Sequence, residues 1–208
     1  MKYLFLHGLG QTSSSWEPVL NALNCGKDIL CPELFDFLQD GPCSYAALYK
    51  TFSAYCGGID DPVCLCGLSL GGILAMQYAV EHPGKVRALV LIGTQYVMPQ
   101  KLLRVQNAVF QLMPNRAFVG MGLPKRKFIS LSKSMMELDF RQDLHSIACP
   151  VLVVCGERDR ANKKAALELQ MLLPRAELQI LKGAGHEVNV DAPEALGAAL
   201  NDFFRVSG

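Results

Sequence analysis

The chain has 208 residues, with 20 Lys+Arg against 19 Asp+Glu and a formal charge of +1. Half of the residues are hydrophobic and 19% are charged, which suits a single domain, 1–208, with a buried core. That balance excludes a wholly basic nucleic-acid binder and an acidic disordered chain.

Lys2–Leu6 predicts a strand, and it meets His7-Gly8 too soon to serve as a signal peptide. With no apolar run of about eighteen residues to span a membrane, a cytoplasmic protein is expected. The Ser13-Ser14-Ser15 cluster predicts a helix start, and Asp28–Cys31 a second strand closed by Pro32. Tyr45–Tyr55 has helical spacing at Leu48, Phe52 and Tyr55. Pro62–Cys66 predicts a strand and Leu70–Val80 a helix that stops before Pro83. Val86–Ile92 and Val151–Cys155 are short, β-branched apolar runs of buried-strand type, and Ala161–Leu173 predicts a helix after the second of them. Leu178–Leu181 predicts the last strand, and Pro193–Phe204 a closing helix with proline in its first turn. Strands separated by helices imply an α/β fold: a mostly parallel sheet of about six strands with helices on both faces.

Residues 95–145 break the alternation. They read as helical and Met-rich, interrupted by Pro114 and Pro124. From Lys101 to Lys133 this stretch carries seven basic residues and no acidic one, which leaves 13 basic and 19 acidic residues elsewhere. An insertion of this length is expected to form a lid or binding loop over the carboxyl ends of the strands; a helical pair that only covers the sheet is the alternative.

Eight cysteines (Cys25, Cys31, Cys43, Cys56, Cys64, Cys66, Cys149 and Cys155) show no C-x-x-C spacing. Buried free thiols are expected rather than a disulfide framework or a metal site. On a strand, Cys64 and Cys66 would point to one face.

Gly67-Leu68-Ser69-Leu70-Gly71 lies between a predicted strand and a predicted helix, where a G-x-S-x-G sequence forms a sharp turn that exposes the serine. Glycines in such a place could also serve only close packing. A serine hydroxyl needs a base to become a nucleophile. His82, beside Pro83, reads as an exposed capping residue, His145 as a solvated linker residue, and His7 as a turn-stabilising one. His186, in Gly183-Ala184-Gly185-His186, follows the last strand and is the candidate base. Asp159, just past Val151–Cys155, is the candidate orienting carboxylate, with Glu157 and Asp191 as replacements. The order Ser69, Asp159, His186 matches that of this turn architecture. Developing negative charge would meet the backbone N–H groups of Leu70, after the serine, and of Leu9, in the glycine turn His7-Gly8-Leu9-Gly10.

The chain resembles the α/β-hydrolases from Lys2 to Phe204, through HGLGQTSSSW at His7–Trp16, GLSLGG at 67–72, GERD at 156–159 and GAGH at 183–186. The resemblance implies that these are the oxyanion loop, the nucleophile, the acid and the base of a serine esterase. It implies that 95–145 form a short cap, and that two strands preceding the first one in the family are missing. A carboxylic ester or related acyl bond would be cleaved through an acyl-enzyme, with no cofactor and no metal. The partner would be a small-molecule ester, with no nucleic acid and no membrane span, and the protein a monomer or weak homodimer. A lyase or carbon–carbon bond hydrolase on the same fold is the second reading; there the basic residues Arg104, Arg116, Lys125, Arg126 and Lys127 would grip an anionic substrate. Phe110, Met113, Phe118, Met121 and Phe128 are expected to supply apolar pocket or packing surface, and Arg104, Arg116, Phe110 and Met113 are the candidate substrate contacts. A dinucleotide oxidoreductase is a poorer fit: Gly8-x-Gly10-x-x-Ser13 lacks the third small residue, and it leaves GAGH unexplained. A non-catalytic binding protein on this fold is the remaining alternative.

Overall fold

Alternating side chains build one sheet with two dry faces. The computed structural model describes residues 1–24, 28–38 and 41–207. In chain order the elements are β1 (Lys2–Leu6), α1 (Glu17–Asn21), β2 (Ile29–Leu30), α2 (Tyr45–Gly57), β3 (Val63–Leu68), α3 (Leu70–Glu81) and β4 (Val86–Ile92). They continue with α4 (Gln100–Leu112), α5 (Lys125–Ser134), β5 (Val151–Gly156), α6 (Lys163–Leu172), β6 (Ala176–Leu181), α7 (Val188–Asp191) and α8 (Pro193–Ser207). The six strands lie in the order β2-β1-β3-β4-β5-β6, and every pairing is parallel.

Successive strand residues point to opposite faces. Leu4, Leu6, Leu65, Leu89, Leu91 and Val153 therefore meet Leu48 and Phe52 of α2, Ile73 and Leu74 of α3, and Leu169 of α6. Phe5, Cys64, Cys66, Val90 and Val154 face Val19 of α1 and Leu196, Leu200 and Phe203 of α8. Each fully buried Leu or Phe contributes about 1.5–3 kcal/mol relative to exposure, so these two layers hold the sheet flat between helices. The chain enters at β1, steps out to β2 and returns on the other side of β1 as β3. A cleft forms where the connections diverge, above the carboxyl ends of the strands.

The elements follow the sequence pattern with local differences. The second strand shrinks to Ile29–Leu30, because only Tyr3 and Leu4 offer it register. The third runs on to Leu68 rather than ending at Cys66, since Gly67 and Leu68 pair with Leu91 and Ile92. The last strand starts at Ala176, pairing with Val151. After Thr12 the chain forms a 3-10 turn, Ser13–Trp16, before the short α1. A second such turn, Leu34–Leu38, and α7 had no periodic signal because they are one turn long. His82 is half-buried rather than exposed: its ring lies 4.5 Å from that of Tyr78, and Nε2 is 3.3 Å from the Ser53 hydroxyl. His145 is exposed.

The seven cysteines among the described residues form no disulfide with one another; Cys25 lies outside those residues. Five of the seven are buried, whereas Cys31 and Cys43 are only half-buried. Burial pushes the thiols of Cys31 and Cys56 up to about 12 and those of Cys149 and Cys155 up to about 11, which keeps them protonated and unreactive near neutrality. Cys64 and Cys66 do share one sheet face. No helix among the described residues is long and apolar enough to cross a membrane.

Between β4 and β5, α4 and α5 pack on each other and over the cleft, tied by the ring cluster Phe110, Phe118 and Phe128 at 5.1–6.2 Å. Asn107 on α4 is 3% exposed, and neither its amide nitrogen nor its oxygen has a hydrogen-bond partner among the described residues. A buried polar group without partners costs about 1–3 kcal/mol. Asn107→Leu should therefore raise stability by about 1–2 kcal/mol, or Tm by about 2–8 °C for a chain of this size, in a thermal melt. A lowered Tm would mean that the amide is satisfied in solution.

Candidate active site

Five carboxyl strand ends converge on one cleft. Ser69 follows β3 directly and has φ 52° and ψ −110°, the one positive φ at a non-glycine residue among those described. Such a backbone costs about 1–3 kcal/mol and persists only where its surroundings enforce it. The enforcement is visible: the Ser69 N–H donates to the Ile92 carbonyl at 2.8 Å, and its own carbonyl accepts from Ile73 N–H at 3.0 Å in α3. A side chain at Gly67 would collide with the backbone of Gly71, one at Gly71 with the Leu6 carbonyl, and one at Gly72 with the Thr94 hydroxyl. The glycines let α3 start directly against β1 and β4. Gly71→Ala should accordingly cost more than about 3 kcal/mol or prevent folding, since the obstacle is strand backbone that cannot move aside. Expression yield and a denaturant midpoint measure this; an unchanged midpoint would contradict the packing.

His186 stands on the loop after β6, with its side chain 41% exposed. Its Nδ1 lies 2.8 Å from Oδ2 of Asp159, which is 5% exposed on the loop after β5. The imidazole is flanked by Gly93, where a Cβ would come within 2.9 Å of Nδ1. The two other carboxylates have different duties. Glu157 accepts from Gly183 N–H at 2.9 Å and Asp191 from Gly185 N–H at 2.6 Å, so both brace the backbone that carries His186.

Two residues of this network escaped sequence reasoning. Asn162 donates from Nδ2 to both Asp159 oxygens, at 2.9 and 2.8 Å, and from its backbone N–H to Oδ1 at 3.2 Å. Gln95 in turn donates to the Asn162 oxygen at 2.8 Å. The Asp-x-x-Asn spacing at 159–162 is a turn signal that could have pointed to Asn162; nothing local marks Gln95. Burial works to raise the Asp159 carboxyl, but hydrogen bonds from His186 and Asn162, together with the imidazole charge, hold it below the usual carboxylate range.

Leu9 and Leu70 both line the cavity, and neither backbone N–H has an acceptor among the described residues. The turn that carries Leu9 is firmly held. His7 is fully buried, with Nδ1 3.0 Å from the Gly8 carbonyl and Nε2 accepting from Leu34 N–H at 3.0 Å. Gln11 accepts from Gly8 N–H at 3.4 Å and donates to Asn189 of α7 at 3.1 Å.

The cavity has a volume of about 500 Å³ and is walled by Ser69, Asp159, Asn162, His186 and mainly apolar side chains such as Ile73, Met98, Leu103, Phe110, Phe128 and Met135. Of the insertion residues singled out from sequence, the structure brings Phe110 and Phe128 to this cavity. Met113 packs at the edge of the core, and Arg104 and Arg116 are exposed. No Lys or Arg lines the cavity. A depression between β6 and α8, lined by Arg175, Glu177, Asp202 and Arg205, contains no serine, cysteine or histidine.

A buried carboxylate on an imidazole, lining one cavity with a serine held in a strained strand–helix turn, fits a hydrolase built on a parallel sheet. The Alpha/beta hydrolase family profile matches residues 3–199, and the chain belongs to that family. It is similar to the pimeloyl-[acyl-carrier protein] methyl ester esterase of Aromatoleum aromaticum, at 27% identity over 97% of both chains. It is 29% identical to the polyketide synthase ThaQ of Burkholderia thailandensis over 97% of its own length, but spans only 12% of that protein. Among solved structures, an esterase from Thermogutta terrifontis superposes with a TM-score of 0.82 at 18% identity, covering 100% of this chain and 90% of the other.

Proposed function

We propose that the protein is a serine hydrolase that cleaves a carboxylic ester of a largely apolar, small-molecule acyl group. The observation that carries this reading is the Asp159–His186 contact of 2.8 Å in the same cavity as the strained Ser69. The Ser69 hydroxyl attacks the ester carbonyl while His186 takes its proton at Nε2, forming a tetrahedral oxyanion. Leu9 and Leu70 N–H groups donate to that oxygen; neither has an acceptor among the described residues to give up first. Asp159, ionised because its carboxyl is held low, keeps the proton on Nδ1 and stabilises the imidazolium. His186 then protonates the leaving alkoxide, and the acyl group remains on Ser69. Water, deprotonated by His186, releases it and restores the serine.

The esterase relative above supports an ester as the bond broken. The cations that the carbon–carbon bond and lyase reading assigned to an anionic substrate lie outside the cavity, which favours the ester reading. Neutral esters with apolar acyl groups should be preferred over anionic ones of equal size, with turnover insensitive to salt. Covalent labelling with a fluorophosphonate, read by intact mass, tests the nucleophile. One adduct on the wild type that vanishes in Ser69→Ala is expected; no adduct on folded protein would return the chain to the binding-protein reading.

A further inference from the structure

The outward side of α4 is apolar where a solvated helix should be polar. Leu102, Val105, Val109 and Leu112 are 49%, 63%, 51% and 87% exposed, and nearby Val119 is 83% exposed. Their spacing of three, four and three residues sets the four helical positions on one side of a 3.6-residue helix. The inward side, with Leu103 and Phe110, is already used for packing. Scattered exposed apolar residues are ordinary, but a continuous stripe marks a surface that meets another phase or molecule. On α6, Leu167 and Met171 are exposed too, among mixed charges that include a Lys164–Glu168 pair.

From Lys101 to Lys133, the stretch that contains α4 and nearly all of α5, the charges are of one sign. Lys101, Arg104, Arg116, Arg126, Lys127 and Lys133 are exposed, and none has a carboxylate partner among the described residues. Lys125 is engaged, donating to the Gln111 and Met113 carbonyls at the end of α4. A second copy of the chain would set these cations against their own kind. The exposed apolar residues are aliphatic, whereas protein interfaces are anchored chiefly by Trp, Tyr and Arg. Leucine and valine flanked by Lys and Arg are the composition of a helix lying in a membrane interface.

We propose that the outward face of α4, with the basic residues around it, docks this protein on the surface of an anionic lipid bilayer. Leu102 and Val105 belong both to the stripe and to the cavity wall, so docking would set the cavity mouth against the acyl region of the bilayer. Apolar esters could then enter without crossing water; that consequence rests on the hydrolase reading, whereas docking itself does not.

Flotation of the full chain with phosphatidylcholine vesicles, with and without phosphatidylglycerol, tests the proposal. The wild type and Ser69→Ala should float with the anionic vesicles alone, and added salt should weaken the binding. Val109→Glu with Leu112→Glu should lower vesicle affinity about tenfold or more. Neither residue lines the cavity, so Tm and turnover of a soluble acetate ester should stay unchanged in that variant. Lys101→Glu with Arg104→Glu should lower affinity by about fivefold or more for each charge reversed. Failure to float, or flotation that Val109→Glu with Leu112→Glu leaves intact, would overturn the proposal. So would saturable binding of an acidic acyl carrier protein by a chain that ignores the vesicles, or a dimer that the double variant abolishes. A chain inert toward every ester that still floats would refute the hydrolase reading and leave the docking surface standing.

Discussion

Ser69→Ala is expected to lower kcat/KM for an apolar ester by about 10⁴-fold or more while leaving the fold intact. The loss is large because the hydroxyl is the atom that forms the acyl bond, and no other serine or cysteine shares the cavity floor with His186. Ser132 also lines the cavity, but on α5, away from the strand ends where His186 is carried. The same substitution should leave stability nearly unchanged. Alanine at φ 52° is strained as serine is, and the Ser69 side chain it replaces is only half-buried. Steady-state rates and a thermal melt on one preparation separate the two effects. Residual activity within about tenfold of the wild type would remove Ser69 as nucleophile.

Asp159→Asn should cost about 10³–10⁴-fold in kcat with little change in KM. The amide can present its NH2 to His186 Nδ1, which favours the tautomer with the proton on Nε2, where it cannot accept one from Ser69. It also places an NH2 opposite Asn162 Nδ2, which now donates to both carboxylate oxygens. Asn162→Ala should cost less, about tenfold, because Asp159 keeps His186 and the backbone N–H of residue 162 as partners and loses only the side-chain amide donor among the groups that hold it low. Equal losses in the two variants would mean that Asn162 does more than position the carboxylate. The acid behaviour follows in sign. A carboxyl held below its unfolded value stabilises the fold fully above about pH 3.9, and the contribution is lost as pH falls through the lowered native value. Removing it with Asp159→Asn should make acid unfolding less steep, not steeper.

The chain-order pattern was enough to expect six parallel strands between helices, because buried strands are short β-branched runs and the connections between them are long enough only for crossovers. Where the pattern misled, the deciding force was pairing across the sheet. Gly67 reads as turn, but partners on β4 keep it in β3 until Ser69 itself. Arg104 and Arg116 suggested a binding role through charge alone, but the packing of α4 on α5 leaves Arg104 outward, and Arg116 is exposed on the connection between the two helices.

The sequence by itself determined the fold and the serine, aspartate and histidine worth examining, because each lies beside a glycine-rich turn at a strand end, where local chemistry is distinctive. Among Asp159, Glu157 and Asp191 the sequence favours Asp159 by its place at the strand end, and the tertiary structure shows which atom each carboxylate meets: the imidazole for Asp159, backbone N–H groups for the others. Tertiary structure alone recruited Asn162 and Gln95, and it alone left Leu102, Val105, Val109 and Leu112 facing outward. Helical periodicity shows that a helix has an apolar side, but packing determines which side is used and which is left over.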